Sequence, residues 1–250
     1  EIPLCDWSSD VCSSDLNVAL NTIAAEAFDE IATRLEKSRD KNAEAAAIIK
    51  EIYKKHGRVI FNGNNYSEAW AKEAARRGLP NITNTVDALK SFVTDKSIRL
   101  FEKYGVLSHK ELDSRYEIYV EIYAKQINIE ALAALDMVKK QFLPAATEYA
   151  TFLAESVASF KAAGVASPVQ TDLLKKLGAL MASAYRNLEK LEVATARAQK
   201  IDNTVRRAEA YRDKVIPAMQ ALRADIDALE MIVPKDLWPV PTYADLLFKL

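Results

Sequence analysis

Residues 108–132 read SHKELDSRYEIYVEIYAKQINIEAL. Ser108 and Glu111 form the S-x-x-E capping box that opens a helix. After it, apolar residues recur at three- and four-residue spacing, the helical period. That period continues to about Ala163 with no glycine. Pro144 lies inside it and is expected to kink or divide the helix, because proline lacks the N–H and its ring clashes with the preceding turn. Gly164 closes the pattern. Ser167-Pro168 then reads as an N-cap with proline in the first turn, and Leu173, Leu174, Leu177, Leu180, Met181, Leu188 and Leu191 carry a second long helix to about Lys200. A third spans 202–231, interrupted at Pro217. Three long helices joined by short loops predict an antiparallel bundle, and hence a predominantly all-α fold.

Upstream of Ser108 the elements shorten. Leu20, Ile23, Ala24, Ala27, Phe28, Ile31 and Leu35 predict an amphipathic helix over 20–37, and Ala45, Ile48, Ile49, Ile52 and Tyr53 one over 41–55, stopped by Gly57. RVIF (58–61) suits a short strand and NGNN (62–65) a turn. Ser67 begins a helix ended by Gly78 and Pro80. Thr85 is the expected cap of VDALKSF, and Asp95 or Thr94 that of KSIRLFEKY, stopped by Gly105. At the far end, Pro234, Pro239 and Pro241 forbid a helix before about Thr242. That tail still holds Leu237, Trp238, Val240, Tyr243, Leu246, Leu247 and Phe248. So apolar a segment is expected to pack, either back on the helices or on a partner.

Residues 1–16, EIPLCDWSSDVCSSDL, are unlike the rest and hold both cysteines, Cys5 and Cys12. They lack the basic start and apolar core of a secretory signal, and they form neither a C-x-x-C redox pair nor a metal-ligand pattern. Reverse translation of Asp6–Leu16 matches a common short-read sequencing adapter without mismatch. Residues 1–16 are therefore read as a translated adapter, and the natural chain is expected to be a fragment that enters at Asn17 and keeps its own C-terminus at Leu250.

The composition excludes several classes. Lys and Arg number 34 against 35 Asp and Glu, and four of the acids (Glu1, Asp6, Asp10, Asp15) fall in residues 1–16. So near a balance gives no electrostatic case for nucleic acid or a membrane surface. No apolar run reaches the ~18 residues of a membrane span.

Chemistry-bearing patterns are sparse. His56 and His109 both sit at predicted helix ends and read as solvated. Asn62, Asn64 and Asn65 could hold a polar ligand at the start of the following helix, but they read first as a turn feeding the cap at Ser67. Tyr116, Tyr119, Tyr123 and Ile127 form a stripe that suits a core more than base stacking. Glu117 and Glu121 share a helix face without the E-x-x-H partner of a carboxylate metal site, and TVRRAEAYRDK (204–214) reads as an exposed charged face. No P-loop, H-E-x-x-H, G-x-S-x-G or G-x-G-x-x-G occurs. No catalytic, cofactor-binding or metal-binding residue is assigned.

Five stretches together resemble one family: NVALNTIAAEAFDEIA (17–32), RVIFNGNNYSEAWAKEAARRGLPNITNTVDAL (58–89), SIRLFEKYGVLSHKELDSRYEIYVEIYAKQINIEAL (97–132), YRDKVIPAMQALRADIDALE (211–230) and KDLWPVPTYADLLF (235–248). They are similar to the C-terminal region of type III glutamine synthetases. The resemblance implies ATP-dependent ligation of ammonia to glutamate through a γ-glutamyl phosphate, with Mg or Mn as the metal, in a cytoplasmic homo-oligomer of twelve subunits in two stacked rings. It also implies that the metal-binding glutamates, nucleotide contacts and phosphate-binding arginines lie upstream of Asn17, so that none falls on this sequence. Residues 17–37 would then be the last catalytic-domain helix. Residues 38–107 would form a short-helix region, 108–231 the long helices and 232–250 the tail, with the absent catalytic domain as a partner. Leu20, Ile23 and Phe28 would lack their natural sheet partner, leaving that helix loosely held. A stand-alone helical interaction module without catalysis is the alternative.

Overall fold

The computed structural model describes residues 9–241 and 243–247. Among them the chain is predominantly helical and no strand forms. It divides into two compact units, Glu1–Ile118 and Tyr119–Leu250.

In the first unit, α1 (Ser9–Lys37) and α2 (Lys41–His56) are joined by a short link. The backbone of α1 is helical well before Leu20, where the apolar period alone would start it. Glu1–Ser8, with Cys5 and Trp7, lie outside the described residues. Asp40 caps α2, its carboxylate accepting from Asn42 and Ala43 N–H at 3.1 and 3.0 Å. Arg34 ties the pair together, reaching Glu44 at 2.8 Å and Glu51 at 2.7 Å. Gly57 does not turn left-handed. Its φ of −55° keeps the right-handed sense, and the chain tightens into a 3-10 turn over Gly57–Val59.

The strand expected at 58–61 is therefore absent. Ile60, which follows the turn, is extended, at φ −84° and ψ 121°. An apolar run this short becomes a strand only if another strand pairs with its backbone groups, and none does here. The backbone is capped instead: Arg77 donates to the carbonyls of Arg58 (3.1 Å) and Ile60 (2.7 Å).

α3 (Glu68–Arg76) is capped by Ser67 as expected. For α4 (Thr85–Leu89) the cap is Asn84, one residue before the expected Thr85. Its amide oxygen accepts from Asp87 N–H at 2.9 Å, a reach that an Asn side chain one position earlier makes as well as threonine. Thr94, not Asp95, caps α5 (Asp95–Lys103). Among the described residues of this unit, Ile48, Val86, Phe101 and Leu112 are the buried apolar side chains.

The capping box opens α6 (His109–Met137): Glu111 N–H donates to Ser108 Oγ (3.3 Å), and Ser108 N–H donates to Glu111 Oε2 (2.8 Å). In the second unit its core stripe is Val120, Ala124, Ile127, Ala131 and Leu135. Tyr116, Tyr119 and Tyr123 flank that stripe, half-buried, and only Ile127 of the expected set belongs to it. A π turn, Val138–Phe142, leads into α7 (Leu143–Ala162). Gly164, at φ +72°, ends that run in the left-handed conformation that favours glycine. α8 (Pro168–Gln199) follows, with Pro168 in its first turn. Ser167 holds the cap position but its side chain caps nothing; its carbonyl accepts from Thr171 instead.

The chain then forms α9 (Thr204–Ala210), a second π turn over Tyr211–Val215, and α10 (Ile216–Glu230). α8 lies against both α7 and α10. Lys139 pairs with Glu192, and Asn128 with Gln199. Position rises along α6 and the π turn that follows it as it falls along α8, so α6 and α8 run antiparallel.

Both π turns precede a proline at the same distance: VKKQFLP (138–144) and YRDKVIP (211–217). In each, an N–H reaches five residues back, Leu143 to Val138 and Ile216 to Tyr211. Proline cannot donate to the carbonyl four residues before it, and the wider turn redistributes the donors that remain.

The tail returns to the helices. Val233 and Trp238 are buried, and the Trp238 ring stacks on Phe142 of the first π turn at 4.9 Å. The prolines defer helix to α11 (Tyr243–Leu247), and Asp245 pairs with Lys235.

Candidate functional site

A polar junction that ties three segments of the second unit is built on Asn128. It sits in α6 between Ile127 and Ile129, at the edge of the core stripe. Its side-chain oxygen accepts from Gln199, the last residue of α8, at 2.8 Å, and from the Tyr211 hydroxyl at 2.8 Å. Tyr211 opens the second π turn and is 2 % exposed. One amide oxygen thus joins three segments.

Charges surround this bond. Asn203 caps α9, accepting from Arg206 N–H at 2.9 Å, which fixes the turn that aims Arg207 back at the Ile201 carbonyl (3.4 Å). Arg212 holds Asp213 with two hydrogen bonds, at 2.6 and 3.0 Å. Gln126 donates to Glu130 at 3.0 Å. Burial pushes the Tyr123 phenol up, Arg212 opposes it, and Asp213 and Glu130 add to the rise. Burial pushes Tyr211 up as well, with Arg207 opposing. Lys125, 2.9 Å from Glu121, holds that carboxyl below its ordinary range. Such a network, neutral at its centre and ion-paired at its rim, fixes helix register. It holds no nucleophile with an adjacent base, and no group of three or more metal-ligand side chains occurs among the described residues.

The sequence-level candidates distribute as follows. His56 ends α2, exposed, and His109 opens α6 with Nε2 3.3 Å from Asp113, also exposed. Glu121 is engaged by Lys125 rather than joined with Glu117. The segment 204–214 is not simply an exposed face, since Ala208 and Tyr211 are buried in it. The asparagine loop folds on itself: Tyr66 N–H donates to Asn64 Oδ1 (3.0 Å), Ser67 Oγ donates to the Asn64 carbonyl (2.7 Å), and Phe61 stacks on Trp70 at 4.6 Å. The Arg77 guanidinium lies over the same indole, 5.6 Å from its centre. Asn128, Gln199 and Tyr211 escaped sequence reading; the one available signal was an asparagine inside the apolar run INI.

Two stretches that carry the family resemblance, 97–132 and 211–230, therefore meet at the Asn128–Tyr211 bond, and a third, 235–248, seats Trp238 on the first π turn. Residues 44–161 match the model of the glutamine synthetase C-terminal domain. That match places residues 44–161, just under half of the chain, in the class of helical glutamine synthetase C-terminal domains. Over a longer stretch the chain is 34 % identical to a glutamine synthetase of Butyrivibrio fibrisolvens, covering 81 % of this chain and 29 % of that protein. It is 34 % identical to the type-3 glutamine synthetase of Dictyostelium discoideum (92 % and 33 %), and 28 % identical to a glutamine synthetase of Bacteroides fragilis strain YCH46 (96 % and 34 %). The chain corresponds to the C-terminal part of a glutamine synthetase and spans about a third of the length of these relatives. No helix among the described residues is long and apolar enough to cross a membrane.

Proposed function

We propose that this chain is an assembly and docking element of a type-3 glutamine synthetase and makes no glutamine by itself. The whole enzyme would join ammonia to glutamate at the expense of ATP, with Mg or Mn, as a cytoplasmic homo-oligomer of twelve subunits. The groups that perform that chemistry would lie in the part of the relatives this chain does not span.

The observation that carries the docking role is the orientation of α1. Its polar edge faces the first unit: Thr22 is buried, and Glu26 and Asp29 bond Lys103 and Tyr104 of α5 and its end. Its apolar edge, Leu20, Ile23 and Phe28, is 53 to 71 % exposed. An amphipathic helix that turns its apolar side outward fits a partner surface, here the catalytic portion.

The test pairs two measurements. The purified chain, given glutamate, ammonia, ATP and Mg, is expected to form no glutamine; turnover would overturn the proposal. The catalytic portion of a type-3 enzyme, expressed separately, is expected to bind this chain, and to bind Leu20→Ser/Phe28→Ser weakly. Equal binding of both would remove α1 as the docking helix.

A further inference from the structure

The asparagine loop has a chemistry that the assembly role does not use. Asn62-Gly63 is the single Asn-Gly pair of the sequence. Both residues are exposed and lie outside any helix. Among the described residues, neither the Asn62 amide nor the Gly63 N–H takes part in a hydrogen bond. The neighbouring asparagines differ. Asn64 spends its side-chain oxygen on Tyr66 N–H at 3.0 Å, and Asn65 is followed by the bulky Tyr66.

A side chain at position 63 would also have to displace its neighbour. A Cβ there would meet the Phe61 ring at 2.8 Å, and that ring is held by its stack on Trp70. The fold therefore keeps the residue that shields its own backbone nitrogen least beside an unrestrained amide.

We propose that Asn62 is a site of spontaneous deamidation in the folded chain. The Gly63 nitrogen gives its proton to solvent and attacks Asn62 Cγ. A new C–N bond forms, the Cγ–Nδ2 bond breaks, and ammonia departs with a proton from water, leaving a five-membered succinimide. Water then adds to one of the two ring carbonyls and opens the ring. One opening gives aspartate, the other isoaspartate, whose backbone runs through the side-chain carbon. The net change is loss of ammonia and gain of water, with no oxidant or reductant. Either product places a carboxylate two residues from Ile60, whose carbonyl Arg77 holds at 2.7 Å. The isoaspartyl form also lengthens the backbone between Phe61 and Gly63, which withdraws the ring from Trp70.

The whole chain is incubated in mildly alkaline buffer and sampled over days, beside a synthetic peptide covering residues 58–77. Peptide mapping by mass spectrometry reads the exchange of ammonia for water, and a protein-isoaspartate methyltransferase labels the β-linked product. The expected result is progressive conversion at Asn62 in the folded chain, ahead of Asn64 and Asn65, and its absence in Asn62→Gln, for which the ring closure is one atom larger and slower. If Asn62 stays intact in the folded chain while the peptide converts, the loop protects it and the proposal is wrong. Conversion at Asn64 or Asn65 ahead of Asn62 would overturn it equally.

Discussion

Tyr211 and Asn128 lie 83 residues apart in sequence and 2.8 Å apart in space. Tyr211→Phe removes one neutral hydrogen bond and leaves Gln199 on the same acceptor, so its expected cost is about 1 kcal/mol. Asn128→Leu strands the Tyr211 hydroxyl in a buried position and is expected to cost more, ~1–3 kcal/mol. Urea unfolding of both variants decides this, and equal losses would show that the bond is not the organising contact. Glu73 acts at the same scale. The Arg76 and Arg77 side chains that bond it hold its carboxyl down from an ordinary 4.5 to about 2. Its contribution is complete above pH 4.5, where the group is ionised whether the chain is folded or not. As the pH falls from there toward 2, the unfolded chain takes up the proton first and the contribution is lost. Stability that is flat across that window in wild type, or equally sloped in Glu73→Gln, would contradict this. Local chemistry of this kind was partly legible beforehand: Ser67 and Ser108 cap where their spacing says, and Thr94 is one of the two caps the spacing offered for α5, because a cap needs only neighbours. Asn128 was not, because its partners arrive from two other helices.

At the scale of elements, the prolines announced breaks but not their form. Pro144 and Pro217 were each expected to interrupt a helix, and each does so through a π turn that spares the helix a loop. The first of these turns presents Phe142 to Trp238, and the second presents Tyr211 to Asn128. Each wide turn thus delivers one aromatic side chain to a long-range contact, which no single-helix pattern could have shown. If packing holds the first turn in place, Phe142→Ala should cost ~3–5 kcal/mol, while exposed Pro144→Ala changes stability by less than ~1 kcal/mol. Thermal unfolding separates the two, and a larger loss for Pro144→Ala would assign the turn to the proline instead. The tyrosine stripe was misplaced for a related reason. Its spacing is helical, but the face that wins burial is the one lined by small and branched side chains, Val120, Ala124, Ile127 and Ala131, which let helices approach closely.

At the scale of the molecule, the predominance of helix was legible from scarce glycine and the long apolar periods, whereas the short apolar run at 58–61 misled, because periodicity cannot report whether a pairing strand exists. The two units differ in how they are held. The second has an apolar core running through α6, α7, α8 and α10. In the first, α1 is attached mainly by exposed ion pairs, which contribute little each. Amides of residues 20–35 are therefore expected to exchange with deuterium faster than those of α8. Exchange as slow as in α8 would show that α1 needs no partner to stay in place. The Phe142–Trp238 stack carries a consequence for the order of synthesis. Roughly a hundred residues separate the two rings, so at ~5–20 residues per second Phe142 leaves the ribosome about ten seconds before its cover exists. During that interval the first π turn offers an open aromatic face, and a chaperone that recognises nascent apolar segments would find its binding window there, shut by the arrival of Trp238.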